Sequence, residues 1–506
     1  MGKKTVKQAA ILLFCLLTSF LALLFASSAS PLYATNFWTD TNIYFTIGRG
    51  IRSGLIPYRD LFDHKGPLLY LLYGLAACFS DTCFIGVFFL EVLSLAFFFR
   101  LAFGFAQKTG ARWTAMAVPP LAAIAVCGCR AFTQGGSAEE FCLPFLLLGI
   151  LSAAWLVHPE IGKARDKMQR VCSVCFGISA AFVFLVKYTD IGLFAGLSLF
   201  LLLCLWRVQG HAAALRMLLE MFLGFLILCI PVFGVYALKG ALPDCLHVYF
   251  YENLASYSGT PMSLRLHLWN AFAYLRTQSQ ANPILAGLTI LGIIAWMGFH
   301  LHRGGRGSLL AAFALPAGAG CLLLTCFWGE MAHPYYALVF AATAVPGLCA
   351  LLSLPERLIA GRSFRYVAAL FALILMAGMP FMLSMKPEMR ALRSVRKEEM
   401  PQVIFAGKIR DSSEGGNPTL LDLTSLDQGF YLAAGVLPST RFFADNNLET
   451  QEKREAINGY LADAVCEYVV TVWREPGENY ECIAEATGLF DLANERTYRL
   501  WRRKTQ

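Results

Sequence analysis

Eleven predominantly apolar runs dominate the first 385 positions, at 8–30, 83–105, 113–129, 140–157, 171–186, 190–206, 217–238, 283–300, 308–327, 335–354 and 366–385. A bilayer core needs ~20 apolar residues per helix, and every backbone group inside it must be satisfied within the segment. A series of such runs therefore restricts this part of the chain to a polytopic α-helical membrane fold. Only 15% of the residues are charged and the mean hydropathy is +0.55, whereas a soluble domain carries about 25% charged residues.

The net charge of +8 suggests nucleic acid only until the chain is divided at Met385. Residues 1–385 hold 26 Lys and Arg against 15 Asp and Glu, a balance of +11, while 386–506 hold 16 against 19, or −3. The apolar part is basic and the tail has ordinary soluble composition, which argues against a nucleic-acid partner. Two units follow: a membrane domain over 1–385 and a soluble domain over 386–506. Most of the sixteen cysteines lie within apolar runs, as small hydrophobes do, and Cys127 and Cys129 have no partners at zinc-site spacing.

A twelfth apolar stretch, Gly66–Phe79, has fourteen residues and suits an interfacial helix opened by Pro67. Charge decides its placement. With this stretch outside the count and the N-terminus (Lys3, Lys4, Lys7) cytoplasmic, the inner loops 106–112, 158–170, 207–216, 300–307 and 355–365 hold 13 basic residues. The alternate loops 129–139, 187–190, 239–282 and 328–334 hold 5. A crossing at Gly66–Phe79 would invert that asymmetry against the positive-inside rule. Eleven crossings then place the C-terminal domain outside the cytoplasm. The first run also resembles a secretory signal, but its length favours an uncleaved helix.

The outer loop 31–82 reads FWTDTNIYFTIGRGIRSGLIPYRDLFDHKGPLLYLLYGL over much of its length. Thr39 or Asp40 is expected to cap a helix ending near Ser53, with Ile43, Ile47 and Ile51 on a face lying on the membrane. Ten of the 15 acids of the membrane part fall on the outer side. Two groups sit beside a membrane entrance: Asp40 past the first span, and Glu139–Glu140 in TQGGSAEEFCLP. Carboxylates at a low-dielectric rim are costly without partners, which marks them as functional candidates.

An Asp after the first span, a Gly-containing amphipathic helix, the PYRDLFDHKGPLLYLLY segment and an acid in the second outer loop occur in that order. This pattern resembles the GT-C superfamily of membrane glycosyltransferases, most nearly the dolichyl-phosphate-mannose protein mannosyltransferases and the bacterial aminoarabinose transferases of lipid A. The motif-level resemblance covers about residues 1–160. It implies a GT-C-like fold of about eleven transmembrane helices with juxtamembrane helices in the first outer loop, followed by a small α/β outer domain. It also implies transfer of a sugar from a polyprenyl-phosphate donor to a lipid, protein or glycan acceptor at the outer face of the cell membrane.

Carried onto this chain, the resemblance makes Asp40 the general base and Lys65, in the HKGP turn, the contact for the donor phosphate, with Arg49 and Arg52 as further phosphate candidates. Glu139 and Glu140 match the second-loop acid, where an Asp is more usual; either is a candidate to bind acceptor or, with Asp40, a divalent metal ion. His64 beside Lys65, and Glu330, His333, Tyr335 and Tyr336 in the late loop FWGEMAHPYY, are candidate donor or acceptor contacts. Each has a plainer reading: helix capping for the acids, anchoring at lipid headgroups for the cations, an interfacial belt for the aromatics.

The loop 239–282 reads as a lid over lipid or acceptor, with Arg265 and Arg276 as weaker phosphate candidates, and Lys187 as a partner for Asp190. No GxxxxGK[ST], HExxH or GxSxG motif is present. The alternatives are a lipid or glycan transporter (flippase), expected to carry charges at mid-membrane, and a non-enzymatic assembly protein. In the tail, TLLDL, CEYVVTVW and TYRLW read as strands, 448–462 and 479–486 as helices, and YLAAGVLPSTRFF as helix, turn and strand.

Overall fold

Apolar length becomes helix along most of the chain. The computed structural model describes all residues except 1–2, 158–162, 258–261, 330–332, 359–363, 413–415, 446 and 505–506. It begins with α1 (Lys3–Ala26), the two loop helices α2 (Thr39–Arg52) and α3 (Pro67–Phe79), and α4 (Ile85–Lys108). Next come α5 (Val118–Cys127), α6 (Ala138–Leu156), α7 (Lys163–Val186), α8 (Gly192–Gln209) and α9 (His211–Leu238). A short α10 (Leu242–Leu246), a π-helix over His247–Tyr257 and α11 (Leu264–Ala281) lead to α12 (Pro283–Arg303), α13 (Ser308–Cys326), α14 (Ala341–Leu358) and α15 (Phe364–Ser384).

Among the described residues, ten helices are long and apolar enough to cross a membrane. The expected run at 113–129 is the exception. It forms a 3-10 turn at Thr114–Ala117 followed by α5, a shorter apolar segment of about 23 Å in all. It still joins the two ends of the bundle. At one end Glu356, late in α14, accepts from the backbone N–H groups of Arg112, Trp113 and Thr114. At the other, Lys386 Nζ, just past α15, donates to the carbonyls of Cys127 and Thr133 at 3.1 and 3.2 Å. Pro119 and Pro120 near the start of α5 explain the break: each lacks the N–H that a longer helix would need there.

The basic loops gather at one end of the bundle. The 106–112 loop meets Glu356, and the 300–307 loop packs on Cys204 and Val208 at the end of α8. The opposite end holds the close of α1, where Ser28 N–H donates to the Gln134 carbonyl, together with α2 and α3 and the C-terminal domain. Helix α1 is an integral part of the bundle, packed on α4, α5 and α15. All sixteen cysteines are free thiols.

Helix α2 does not lie on lipid as its isoleucine face suggested. Residues Asp40–Gly50 are buried, with Ile43 and Ile47 in the core and Ile51 against Gly74 of α3. Gly48 permits this approach: a Cβ there would stand 2.5 Å from the Tyr73 carbonyl. Neither Thr39 nor Asp40 caps the helix; Trp38 holds the N-cap position without a side-chain bond.

The C-terminal domain opens with α16 (Pro387–Ser394) and α17 (Pro401–Ser412). Its sheet comprises β1 (Leu420–Leu423), β2 (Tyr468–Thr471), β3 (Tyr480–Leu489) and β4 (Glu495–Arg503) in the order β1-β2-β4-β3, parallel between β1 and β2 and antiparallel elsewhere. Helices α18 (Phe430–Ala434) and α19 (Gln451–Ala462) complete it. Two local expectations fail. Most of the expected helix 479–486 is instead strand, Tyr480–Leu489, because long cross-strand pairing with β4 overrides the Glu and Ala helix preference of that stretch. The segment after α18 contributes one bridge, Asp422 to Ala444, and no strand.

Candidate active site

Four separate segments meet at the end of the bundle that carries α2 and α3. The first turn of α2 brings Asp40, which is 8% exposed. The HKGP turn before α3 brings Lys65, the first turn of α6 brings Glu139, and the junction of α7 and α8 brings Lys187. The late loop adds His333, Tyr335 and Tyr336.

The Tyr335 hydroxyl donates to Asp40 Oδ2 at 2.9 Å. Its ring stands edge-on to Trp38 and is stacked on His333. Burial, with the Lys65 ammonium beside it, pushes His333 below the ordinary histidine value although Asp40 opposes the shift, so the ring is neutral near pH 7. Tyr44, buried on α2, lies among Asp40, Tyr335, Asp63 and Glu139; burial first and these charges second hold its phenol well above the ordinary value.

The Lys187 ammonium contacts Glu139 Oε1, lies 3.9 Å from Asp190 and sits 3.5 Å above the centre of the Tyr336 ring. Burial alone would lower it, but the Glu139 and Asp190 carboxylates outweigh burial and hold Lys187 above its ordinary range. Lys65 and Lys187 both line a cavity of about 300 Å³, with His64, Tyr188, Asn253 and Tyr336 among the other walls. Most of the remaining lining is apolar or aromatic, as a lipid-linked ligand needs.

Local geometry places each group. Gly66 N–H bonds the Val186 carbonyl, and a Cβ on Gly66 would stand 2.2 Å from the Leu185 carbonyl. The glycine thus lets the turn seat on the end of α7, which sets Lys65 beside Lys187. The turn is further tied by the Tyr58 hydroxyl, which donates to the Lys65 carbonyl at 2.6 Å, and by the Lys65 N–H, which donates to the Tyr70 hydroxyl at 2.8 Å. Tyr70 donates in turn to Asp63 at 2.7 Å. Burial would raise Asp63, but His64, Lys65 and that hydroxyl prevail and keep it below the usual carboxylate range. The π-helix supplies Asn253, which donates to the His64 carbonyl at 2.7 Å. That π-geometry lines the cavity agrees with the tendency of such helices to occur at functional sites.

The two candidate glutamates part company. Glu139 faces Lys187, whereas Glu140 turns back into the bundle. It accepts from Gly136 N–H at 2.8 Å and lies near Glu91 of α4, whose carboxylate takes the Ser27 hydroxyl. Gly135 and Gly136, at φ +82° and +77°, make the turn that this needs. Asp40, Glu139 and Glu140 therefore do not converge. One oxygen of each is held by Tyr335, Lys187 and Gly136 respectively, and among the described residues no three His, Cys, Asp or Glu side chains gather to hold a metal. The expected donor set does not fit a divalent ion.

Arg49 and Arg52 also lie elsewhere. Arg49 donates to the Val436 carbonyl of the C-terminal domain, and Arg52 pairs with Asp81 at the surface. Arg265 and Arg276 are exposed on α11 and do not line the cavity. Glu330 lies outside the described residues. The pairing of Lys187 with Glu139, 48 positions away, is not legible in sequence; only its place as a cation between two apolar runs marks it.

No family model matches the chain, and no curated protein matches it by sequence. Solved structures do. ArnT from Cupriavidus metallidurans in the apo state aligns over 99% of this chain and 98% of its own, with a TM-score of 0.60 at 13% identity. The same protein bound to undecaprenyl phosphate aligns with a TM-score of 0.59 at 12% identity, over 98% and 97% of the two chains. The chain has the GT-C fold. The Archaeoglobus fulgidus oligosaccharyltransferase in complex with Zn and sulfate aligns over 90% of this chain and 68% of its own, at a TM-score of 0.50 and 14% identity. The GT-C frame includes the C-terminal domain, since the ArnT alignments run over nearly the whole of both chains.

Proposed function

We propose that this protein is an integral membrane glycosyltransferase that moves a glycosyl group from a polyprenyl-phosphate-linked donor to an acceptor at the outer face of the membrane. The observation that carries the reading is the pairing of a two-lysine, largely apolar cavity with a buried carboxylate on the adjoining helix. Support for the donor class comes from ArnT, a GT-C-fold protein solved with undecaprenyl phosphate.

In this reading the lipid phosphate lies against Lys65 and Lys187, which stabilise the charge that develops as the anomeric C–O bond breaks. Asp40 takes the proton of the acceptor hydroxyl as its oxygen attacks the anomeric carbon, and the lipid phosphate departs with the bonding electrons. Tyr335 orients the carboxylate through its hydrogen bond. Direct displacement inverts the anomeric centre, as the resemblance implies. Glu139 restrains Lys187 so that its ammonium stays in the cavity wall. The 13-to-5 distribution of basic residues supports a cytoplasmic N-terminus and an extracytoplasmic C-terminal domain.

The deciding experiment uses purified protein in lipid with polyprenyl-phosphate sugars labelled in the glycosyl group. Time-dependent transfer of label from lipid to acceptor is expected. Retention of all label on every donor, in a protein shown to be folded, would remove the reading. A flippase would instead move intact labelled lipid between leaflets.

A further inference from the structure

The C-terminal domain grips two of the segments that carry the site, α2 and the 58–65 turn. In the loop after β1, Asp427 is fully buried, and its Oδ2 accepts the hydroxyl of Thr46 on α2 at 2.5 Å. Its other oxygen accepts Gly429 N–H at 2.7 Å, so the carboxylate is fixed within its own domain before it meets α2. Arg441 holds the second segment. Its carbonyl accepts Phe62 N–H at 2.9 Å, and its Nε donates to the Tyr58 carbonyl at 3.1 Å. Tyr58 then carries the contact to the Lys65 carbonyl.

The helix that bears Asp40 needs such support. It has 14 residues and no side-chain N-cap, and helices of that length are marginal without tertiary partners. Thr46 is 2% exposed, so the Thr46–Asp427 bond is made away from water, where leaving either group unpaired is costly. We infer that the C-terminal domain is a clamp that positions two parts of the active site, Asp427 through Thr46 setting α2 and with it Asp40, and Arg441 setting the Tyr58–Lys65 turn. Asp427 and Thr46 are positioning residues, since neither lines the cavity. Their kinetic consequence rests on the transfer reading above, whereas their effect on α2 does not.

The test uses the full-length protein in lipid and two readouts: amide hydrogen exchange over residues 40–50, and transfer kinetics. Thr46→Val removes the hydroxyl at constant shape, and Thr46→Ser retains it. Thr46→Val is expected to speed exchange in α2 and to lower kcat about 10-fold, with donor KM within about 2-fold because the lysines keep their places. Thr46→Ser is expected to stay near wild type, and Thr46→Val combined with Asp427→Ala to be no worse than the more damaging single change. Unchanged exchange and kcat in Thr46→Val would overturn the clamp, as would additive losses in the double variant or equal damage in Thr46→Ser. Faster exchange in Thr46→Val, in a protein that transfers no sugar even as wild type, would uphold the clamp and remove the transfer reading.

Discussion

The Tyr335 hydroxyl donates to Oδ2 of Asp40 across 295 positions of sequence, joining the first loop helix to the loop before α14. The bond leaves one carboxylate oxygen of Asp40 without that donor and fixes its direction.

Asp40→Asn is therefore expected to lower kcat by about 10²–10⁴, with normal membrane insertion, because an amide cannot take the acceptor proton. Tyr335→Phe is expected to cost about 10-fold by leaving the carboxylate to turn. Wild-type-like transfer by Asp40→Asn would dismiss Asp40 as base.

Lys65→Ala and Lys187→Ala are each expected to weaken the donor, raising its KM or inhibitory constant about 10-fold or more. Competition by unlabelled polyprenyl phosphate measures this separately from chemistry. Lys187→Ala has a second expected effect: it leaves Glu139 and Asp190 without their shared cation, so it should also lower thermal stability.

Gly66→Ala places a methyl against the Leu185 and Val186 carbonyls, at 2.2 and 2.4 Å. The turn must shift, at about 1–3 kcal/mol by analogy with overpacked sites, and Lys65 moves with it. Weaker donor binding with an intact fold is the expected result, and unaltered donor binding would show that the seat on α7 does not place Lys65.

Asp422 and Asp427 form a buried acid pair beneath α2. Burial raises both above the ordinary carboxylate value; Asp427 adds to the shift of Asp422, while Thr46 and Arg49 work against that of Asp427. Tyr431 and Tyr498 are the other titrating groups beside Asp422. A raised folded value means that the folded state holds protons more tightly than the unfolded one. The resulting stability is complete below the ordinary value of ~3.9 and is lost as pH rises through the folded value. The melting temperature of wild type should thus fall between about pH 4 and about pH 7, the value to which burial pushes Asp422, and Asp422→Asn should flatten the fall.

Much of the fold was legible because bilayer length and charge asymmetry are read along the chain. The apolar runs foretold the helices, and Pro67 foretold where α3 begins. The 113–129 run was counted as an ordinary span because its composition says nothing of the prolines' effect on helix length. Of the site, Asp40, Lys65 and the late-loop aromatics were legible from their order. Arg49 and Arg52 were misplaced because helical periodicity shows which residues share a face without showing what that face meets. The choice between Glu139 and Glu140 was equally closed to sequence, since adjacent helical positions point about 100° apart.

Sequence alone determined that this chain is apolar enough to span a membrane many times, that its cations gather in alternate loops, and that a polar C-terminal segment follows. Those properties depend on transfer free energies and charge counts that each residue carries wherever it lies. Tertiary structure alone decided which charges meet. Glu139 faces Lys187 while Glu140 faces Glu91, Tyr335 reaches Asp40, and a tail loop more than 380 positions away holds the helix that carries Asp40. The physical reason is the low dielectric of a helix bundle: a buried charge must have a partner, and only packing determines which partner comes within reach.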